Sequence, residues 1–102
     1  MNQQFKDSVF QVVSMIPRGR VTSYGAIARA LGCPNYARHV GNILRNCDQD
    51  LPVHRVCNAS GVITAGGCIS LFILKLKQEG LTGKEGKIQN FRAIFWDPLK
   101  EI

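Results

Sequence analysis

The sequence predicts a small α+β domain, mostly helical, carrying a helix-turn-helix and a short β-hairpin. Three observations lead there. Apolar residues recur at helical spacing near the start, two short amphipathic stretches flank a Gly-Cys-Pro turn, and the second half breaks into short runs around Gly and Asn. A chain of 102 residues is expected to form one domain, residues 1–102, and to bury a modest single core without staples.

In residues 3–16, Phe5, Val9, Val12 and Ile16 keep helical spacing with Val13 beside them, and Pro17 and Gly19 end the helix. Ser23 can cap a second helix through Tyr24, Ala26, Ile27, Ala30 and Leu31, closed at Gly32. After Cys33-Pro34, Asn35 can cap a third helix with Tyr36, Val40, Ile43 and Leu44 on one side. Arg38, His39, Asn42 and Arg45 take the rest of its surface. Two short helices joined by a tight turn make a helix-turn-helix, the second being the recognition element. The polar, acidic stretch from Cys47 to Leu51 reads as a loop. His54-Arg55-Val56-Cys57 and Val62-Ile63-Thr64 flank an Asn-Ala-Ser-Gly turn, a hairpin signal. Gly66-Gly67 precede a last helix from about Ile69 to Glu79, with positions 69, 72, 73 and 76 as its buried face and Gly80 as its stop. The tail alternates weakly at Phe91, Ala93 and Phe95 and ends in Phe95-Trp96-Asp97-Pro98, a strand or an extended strap over the core.

Composition narrows the class. Hydrophobic residues at 45% and charged residues at 20% exclude a disordered or collagen-like chain. The longest apolar stretch, Ile69 to Leu74, is interrupted by Ser70 and soon met by Lys75 and Lys77, so no membrane span is expected. The first residues lack a basic region followed by an apolar one, so no secretory signal is read there. A cytoplasmic protein is the expectation, nucleoid-associated in a bacterium or archaeon. Four cysteines at 33, 47, 57 and 68 include no CxxC pair, and His39 and His54 are the only histidines. Neither a metal site nor a disulfide framework is expected, and no cofactor is implied. The thiols read as small packed hydrophobes.

Thirteen Lys and Arg against seven Asp and Glu leave a net charge of +6, which suits a polyanionic partner or simply keeps a small domain soluble. Position decides between these. Arg18 and Arg20 precede the second helix, Arg29 lies on it, and Arg38 and Arg45 lie on the third, while Asp48, Asp50, Glu79, Glu85, Asp97 and Glu101 lie elsewhere. That clustering is a nucleic-acid signal. On the recognition helix, Ala37 and Gly41 share a face beside Arg38. Small residues there either let the helix approach a groove while one cation projects into the base stack, or simply permit tight helix packing.

These residues carry a family resemblance. The run Ile16-Pro17-Arg18-Gly19-Arg20-Val21-Thr22-Ser23-Tyr24-Gly25-Ala26-Ile27-Ala28 resembles the start of the DNA-binding domain of O⁶-alkylguanine-DNA alkyltransferases. Tyr36-Ala37-Arg38-His39-Val40-Gly41 and Leu51-Pro52-Val53-His54-Arg55-Val56 are similar to later motifs, and Ser60-Gly61, Gly66-Gly67 and Glu79-Gly80 follow in the family's order. The likeness runs from about Phe5 to Gly80 and implies a winged-helix-like domain.

In that family the loop reads Pro-Cys-His-Arg, and the cysteine takes the alkyl group with help from a histidine and a carboxylate. Here Pro52-Val53-His54-Arg55 stands in its place. His54 and Glu79 match the histidine and carboxylate, but Val53 has no nucleophilic atom. The sequence then looks like the alkyltransferase-like proteins, short members that bind and flip O⁶-alkylguanine and mark it for nucleotide excision repair. Their aromatic-Trp-x-Pro ending is similar to Phe95-Trp96-Asp97-Pro98.

The resemblance implies that Thr22, Ser23, Tyr24, Ala37, Arg38, Gly41 and Arg45 meet DNA, with Tyr24 rotating the nucleotide and Arg38 filling the vacated stack. It implies a lesion pocket of Tyr24, Val53, Ser60, Gly61, Gly66 and Gly67. His54 bonded to Glu79 would tie the loop to the last helix, and His39 would contact phosphate. Three departures stand out: the interval from Arg38 to Val53 is a little shorter than in the full transferases, Val62 to Cys68 lacks a basic residue toward the flipped base, and Val53 is smaller than the common tryptophan of the alkyltransferase-like proteins. The expected function is non-enzymatic recognition of O⁶-alkylguanine in double-stranded DNA by a monomer, with nucleotide excision repair proteins as further partners and no membrane. The alternatives are a divergent methyltransferase with Cys57 as surrogate acceptor, which strand alternation disfavours, and a helix-turn-helix binder without lesion preference.

Overall fold

The computed structural model describes residues 3–45, 51–63, 69–81, 83–84 and 87–101. Helix α1 (Gln3–Ser14) buries Val9, Val12 and Val13 as its spacing predicts and Phe10 besides, leaves Phe5 half-buried, and stops two residues short of Ile16, which is itself buried. Pro17 follows, and Gly19 at φ +84° turns the chain into β1 (Thr22–Ser23). Helix α2 (Tyr24–Ala30) starts on Ser23, whose hydroxyl accepts the Ala26 N–H at 3.1 Å. It ends at Gly32, φ +79°.

The third helix begins differently from the sequence expectation. Asn35 is not its cap: Pro34–Tyr36 form a 3₁₀ turn closed by the Tyr36 N–H on the Cys33 carbonyl at 2.9 Å, and α3 (Ala37–Arg45) runs on from it. Proline's preset φ favours this tight entry. Helices α2 and α3 pack together and onto α1 around Val9, Val13, Ile27 and Val40, all fully buried.

The expected hairpin is also corrected. His54 and Arg55 belong to a 3₁₀ turn (Val53–Arg55), and β2 (Val56–Cys57) pairs in parallel with β1, Thr22 facing Val56 and Ser23 facing Cys57. The Asn58–Gly61 turn does form, with Asn58 Oδ1 accepting the Ser60 and Val62 N–H groups at 2.9 Å each. Beyond it Val62 bridges Lys87 rather than the strand before the turn. Thr64 lies outside the described residues.

Helix α4 (Ile69–Gln78) buries Leu76 and half-buries Phe72 and Ile73 against a second cluster of Val21, Cys57, Ile63 and Ile88. It is not the last helix. A two-residue antiparallel pair, β3 (Gly83–Lys84) and β4 (Lys87–Ile88), leads to α5 (Phe91–Ile94) and α6 (Pro98–Glu101). Between these short helices the strap expected from the sequence exists. Val21 N–H donates to the Ile94 carbonyl at 3.0 Å, Trp96 N–H donates to the Val21 carbonyl at 2.6 Å, and the Trp96 ring is buried in the helical core. No described helix is long and apolar enough to cross a membrane.

Candidate nucleic-acid interface

Capping by Ser23 fixes where α2 begins, and so places Tyr24 at its first turn. The ring of Tyr24 lies against α3 at Gly41, where a methyl group would sit 3.8 Å from it in ordinary contact. Around this contact runs an open groove of about 700 Å³, lined by Tyr24 and Gly25 from α2, by Ala37, Arg38, Gly41, Asn42 and Arg45 from α3, and by Asn58 and Ala59 from the turn after β2. Both small residues of α3 therefore border open space. Arg38 and Arg45 are exposed on it, and Arg45 Nη1 donates to Asn42 Oδ1 at 3.2 Å. Among the described residues no acidic side chain lines the groove, which suits a phosphate-bearing ligand.

Thr22 and Ser23 belong elsewhere. Thr22 is fully buried, and Ser23 is buried with its hydroxyl committed to the α2 cap. Neither lines this groove, because β1 must pair with β2 to hold the two halves together, and Ser23 instead lines a recess between α2 and α5. His39 is exposed at the edge of α3, its ring 5.0 Å from that of Tyr36.

The residues expected to form one lesion pocket are spread over several surfaces. Tyr24 is on the groove, and Val53 is half-buried against the helical core. Ser60 is exposed on a neighbouring groove. Gly61, at φ +79°, is buried beneath Phe91, whose Cγ would lie 3.1 Å from a methyl on that glycine. Gly66 and Gly67 lie outside the described residues.

Beneath the Val53–Arg55 turn sits a buried charge cluster. The Glu79 carboxylate takes His54 Nε2 at 2.7 Å, Arg55 Nη2 at 2.7 Å and Nε at 3.0 Å, and the Gly19 N–H at 2.9 Å. Burial alone would raise its pKa, but the Arg55, Gly19 and His54 hydrogen bonds together with the Arg55 charge outweigh burial and hold it at about 2. An ionised carboxylate can only accept, so His54 Nε2 carries its hydrogen. Burial lowers the His54 pKa, only partly offset by Glu79, and keeps the ring neutral. Arg55 Nη1 also donates to the Ile16 carbonyl at 3.0 Å. One carboxylate thus clamps the 3₁₀ turn, the end of α4 and the Pro17–Arg20 bend together.

Not every basic residue faces the ligand side. Arg18 donates to the Gln78 carbonyl at 2.7 Å. Arg20 holds the Ile94 and Phe95 carbonyls at 3.0 and 2.6 Å and pairs with Glu101 at 3.0 Å. These arginines, expected near DNA from their position, instead fasten the chain's second half to its first. Sequence reasoning missed Gly25, Asn58 and Ala59 on the groove. The turn at Asn58 was legible, but its approach to Tyr24 and Arg45 is a tertiary fact. Cys57 is fully buried, and burial pushes its thiol up to about 12.

The chain matches, over residues 4–93, the family model described as 6-O-methylguanine DNA methyltransferase, DNA binding domain. A "DNA base-flipping protein" of Vibrio parahaemolyticus is 41% identical over 99 residues, spanning 93% of this chain and 98% of the relative. Alkyltransferase-like protein 1 of Schizosaccharomyces pombe is 41% identical over 63 residues, 60% of this chain and 58% of that protein. The structure of S. pombe Atl1 in complex with damaged DNA containing O6-carboxymethylguanine superimposes with a TM-score of 0.82 at 30% identity, covering 94% of this chain and 97% of that one. Mycobacterium tuberculosis O6-methylguanine methyltransferase gives 0.68 at 34% identity, with 78% of this chain spanning 50% of that chain.

Proposed function

This chain belongs to the 6-O-methylguanine DNA methyltransferase family through its DNA-binding domain, and from that premise we propose that it recognises O⁶-alkylguanine in duplex DNA by flipping the base without transferring the alkyl group. The observation that carries this reading is the groove itself: a channel with no acidic side chain among its described lining, Tyr24 on one wall and exposed Arg38 and Arg45 on the other. The same fold holds damaged DNA in S. pombe Atl1, and the Vibrio relative bears the name of a base-flipping protein.

The physics is consistent with that assignment. Flipping a nucleotide costs roughly a few kcal/mol, least where pairing is already weak. Alkylation at O⁶ removes the guanine N1 proton and spoils its pair with cytosine, so damaged sites open more cheaply. In this reading Ala37 and Gly41 allow α3 close to the duplex, Tyr24 presses on the backbone beside the target, and Arg38 takes the vacated place in the stack. Val53 stands where the transferases hold their cysteine, and Ser60, on the turn beside the groove, borders the path of the extruded base. Val53 offers no lone pair for attack. Cys57 does not replace it, because its thiol is buried and stays protonated. The His54–Glu79–Arg55 cluster then works as a clamp that sets the loop. Lesion retention without repair fits hand-over to nucleotide excision repair proteins.

The test is a competition titration on matched duplexes carrying guanine or O⁶-methylguanine at fixed near-physiological salt, followed by intact-mass measurement of the protein. Tighter binding to the lesion, lost in Arg38→Ala and weakened in Tyr24→Phe, with no added alkyl mass, is the expected result. A methyl adduct on the protein would establish a transferase instead. Equal affinity for both duplexes would leave a helix-turn-helix binder without lesion preference.

A further inference from the structure

The chain's seven arginines divide cleanly. Arg18, Arg20 and Arg55 are spent on carbonyls and carboxylates of the fold. Arg29, Arg38, Arg45 and Arg92 all border open grooves. Those grooves meet at one residue. The channel beside α3, a recess of about 260 Å³ between α2 and α5, and a further groove of about 720 Å³ along β4 and α5 all share Ala59 in their walls. Arg29 and Arg92 border the recess from opposite helices over Phe91 and Phe95, and Lys87 and Arg92 border the outer groove. Among the described residues no acidic side chain lines any of the three, and no described carboxylate pairs with Arg29, Arg92 or Lys87. Two guanidiniums on one recess with no described carboxylate beside them repel each other, and an anion placed between them relieves that cost.

The backbone that carries Lys87 and Arg92 is also pinned. Phe91 covers Gly61, the Ile88 N–H donates to the Gly61 carbonyl at 2.8 Å, and Lys87 bridges Val62, so β4 and α5 are pinned to the Asn58–Gly61 turn that borders the α3 groove.

We propose that the DNA surface continues past α3, across Ala59, onto a second phosphate track formed by Arg29, Arg92 and Lys87, which holds the duplex backbone flanking the flipped nucleotide. This rests on the DNA reading above and adds to it a partition of roles. The α3 groove discriminates the lesion, and the α5 track supplies affinity blind to it. A backbone contact releases counterions and lowers affinity equally for every sequence when removed, whereas loss of a discriminating contact changes the ratio between lesion and normal DNA.

The experiment measures binding of a fluorescent duplex, with and without O⁶-methylguanine, across a salt series. The proteins are the wild type, Lys87→Gln/Arg92→Gln, Arg29→Gln, Arg38→Ala and the control Lys75→Gln/Lys77→Gln. The control removes the same charge from α4, on none of the three grooves. For Lys87→Gln/Arg92→Gln the expected result is about a ten-fold loss of affinity on both duplexes and a salt slope shallower by about two, with the lesion-to-normal ratio unchanged. Arg29→Gln follows the same pattern with a slope change of about one. Unchanged affinity and slope in these variants overturn the second track while leaving the lesion reading intact if the wild type still prefers damaged DNA. An equal effect from the Lys75/Lys77 control overturns it too, since net charge then explains the loss. A lesion ratio lost in Arg38→Ala but retained in Lys87→Gln/Arg92→Gln supports the partition. A wild type that binds neither duplex refutes both proposals together.

Discussion

Glu79→Gln is the sharpest probe of how this domain holds its functional loop. The substitution keeps the side chain's shape and removes its charge. In the wild type the carboxylate is 5% exposed and accepts from His54, Arg55 and the Gly19 N–H, while the Arg55 side chain is 16% exposed. Its pKa falls from 4.5 to about 2 on folding, which corresponds to about 3 kcal/mol of stability at neutral pH. Breaking one side of a buried pair costs about 3–5 kcal/mol by the independent route of stranding the partner, so the two routes agree. For a domain of this size each kcal/mol moves Tm by about 4–8 °C, and a drop of at least about 10 °C at pH 7 is expected. The sign with pH follows from proton counting. Between pH 4.5 and about 2 the unfolded chain holds the Glu79 proton and the folded chain does not, so wild-type stability falls on acidification through that window. The lowered His54 pKa acts in the same direction, starting below 6.5. Calorimetric melts of both proteins from pH 7 to pH 2 check this. The curves should converge at the acid end. A loss of under about 3 °C at pH 7, or a variant that keeps the wild-type dependence below pH 4.5, would refute the clamp.

Gly61→Ala places a methyl 3.1 Å from Phe91 Cγ at a φ of +79°, and about 2–4 kcal/mol of destabilisation is expected from strain and crowding together; urea unfolding measures it, and a cost below about 1 kcal/mol would mean that α5 shifts freely. The Cys57 thiol, buried and raised to about 12, should stay unlabelled by a thiol reagent in the native protein and react on unfolding. Peptide mapping reads this out, and native-state labelling at Cys57 would revive it as an alkyl acceptor.

Much of the site was legible in one dimension because its determinants are local. Ser23 as a cap, Gly32 and Gly80 as stops, and helical spacing from Phe5 to Val13 each act within a turn or two of chain, and each appears where expected. The His54–Glu79 bond, 25 residues apart in sequence, was reachable only through the family likeness. Where a local signal competed with a distant one, the distant one won. Val56 and Cys57 have a turn beside them and the pattern of a hairpin arm, yet they pair with Thr22 and Ser23, because that pairing buries Val56 and Cys57 among side chains from both core clusters.

The sequence by itself determined the helix-turn-helix, the basic character of its outer face, and the absence of a nucleophile at Val53, since those depend on residue type and short-range spacing. Tertiary structure decided which arginines serve the fold and which serve a ligand. Arg20 and Arg38 are indistinguishable as letters, but one lies within reach of the Ile94 and Phe95 carbonyls and Glu101, and the other borders a groove with no acidic side chain among its described lining. A guanidinium's role is set by the acceptors that packing brings within about 3 Å of it, and no spacing along the chain encodes that distance.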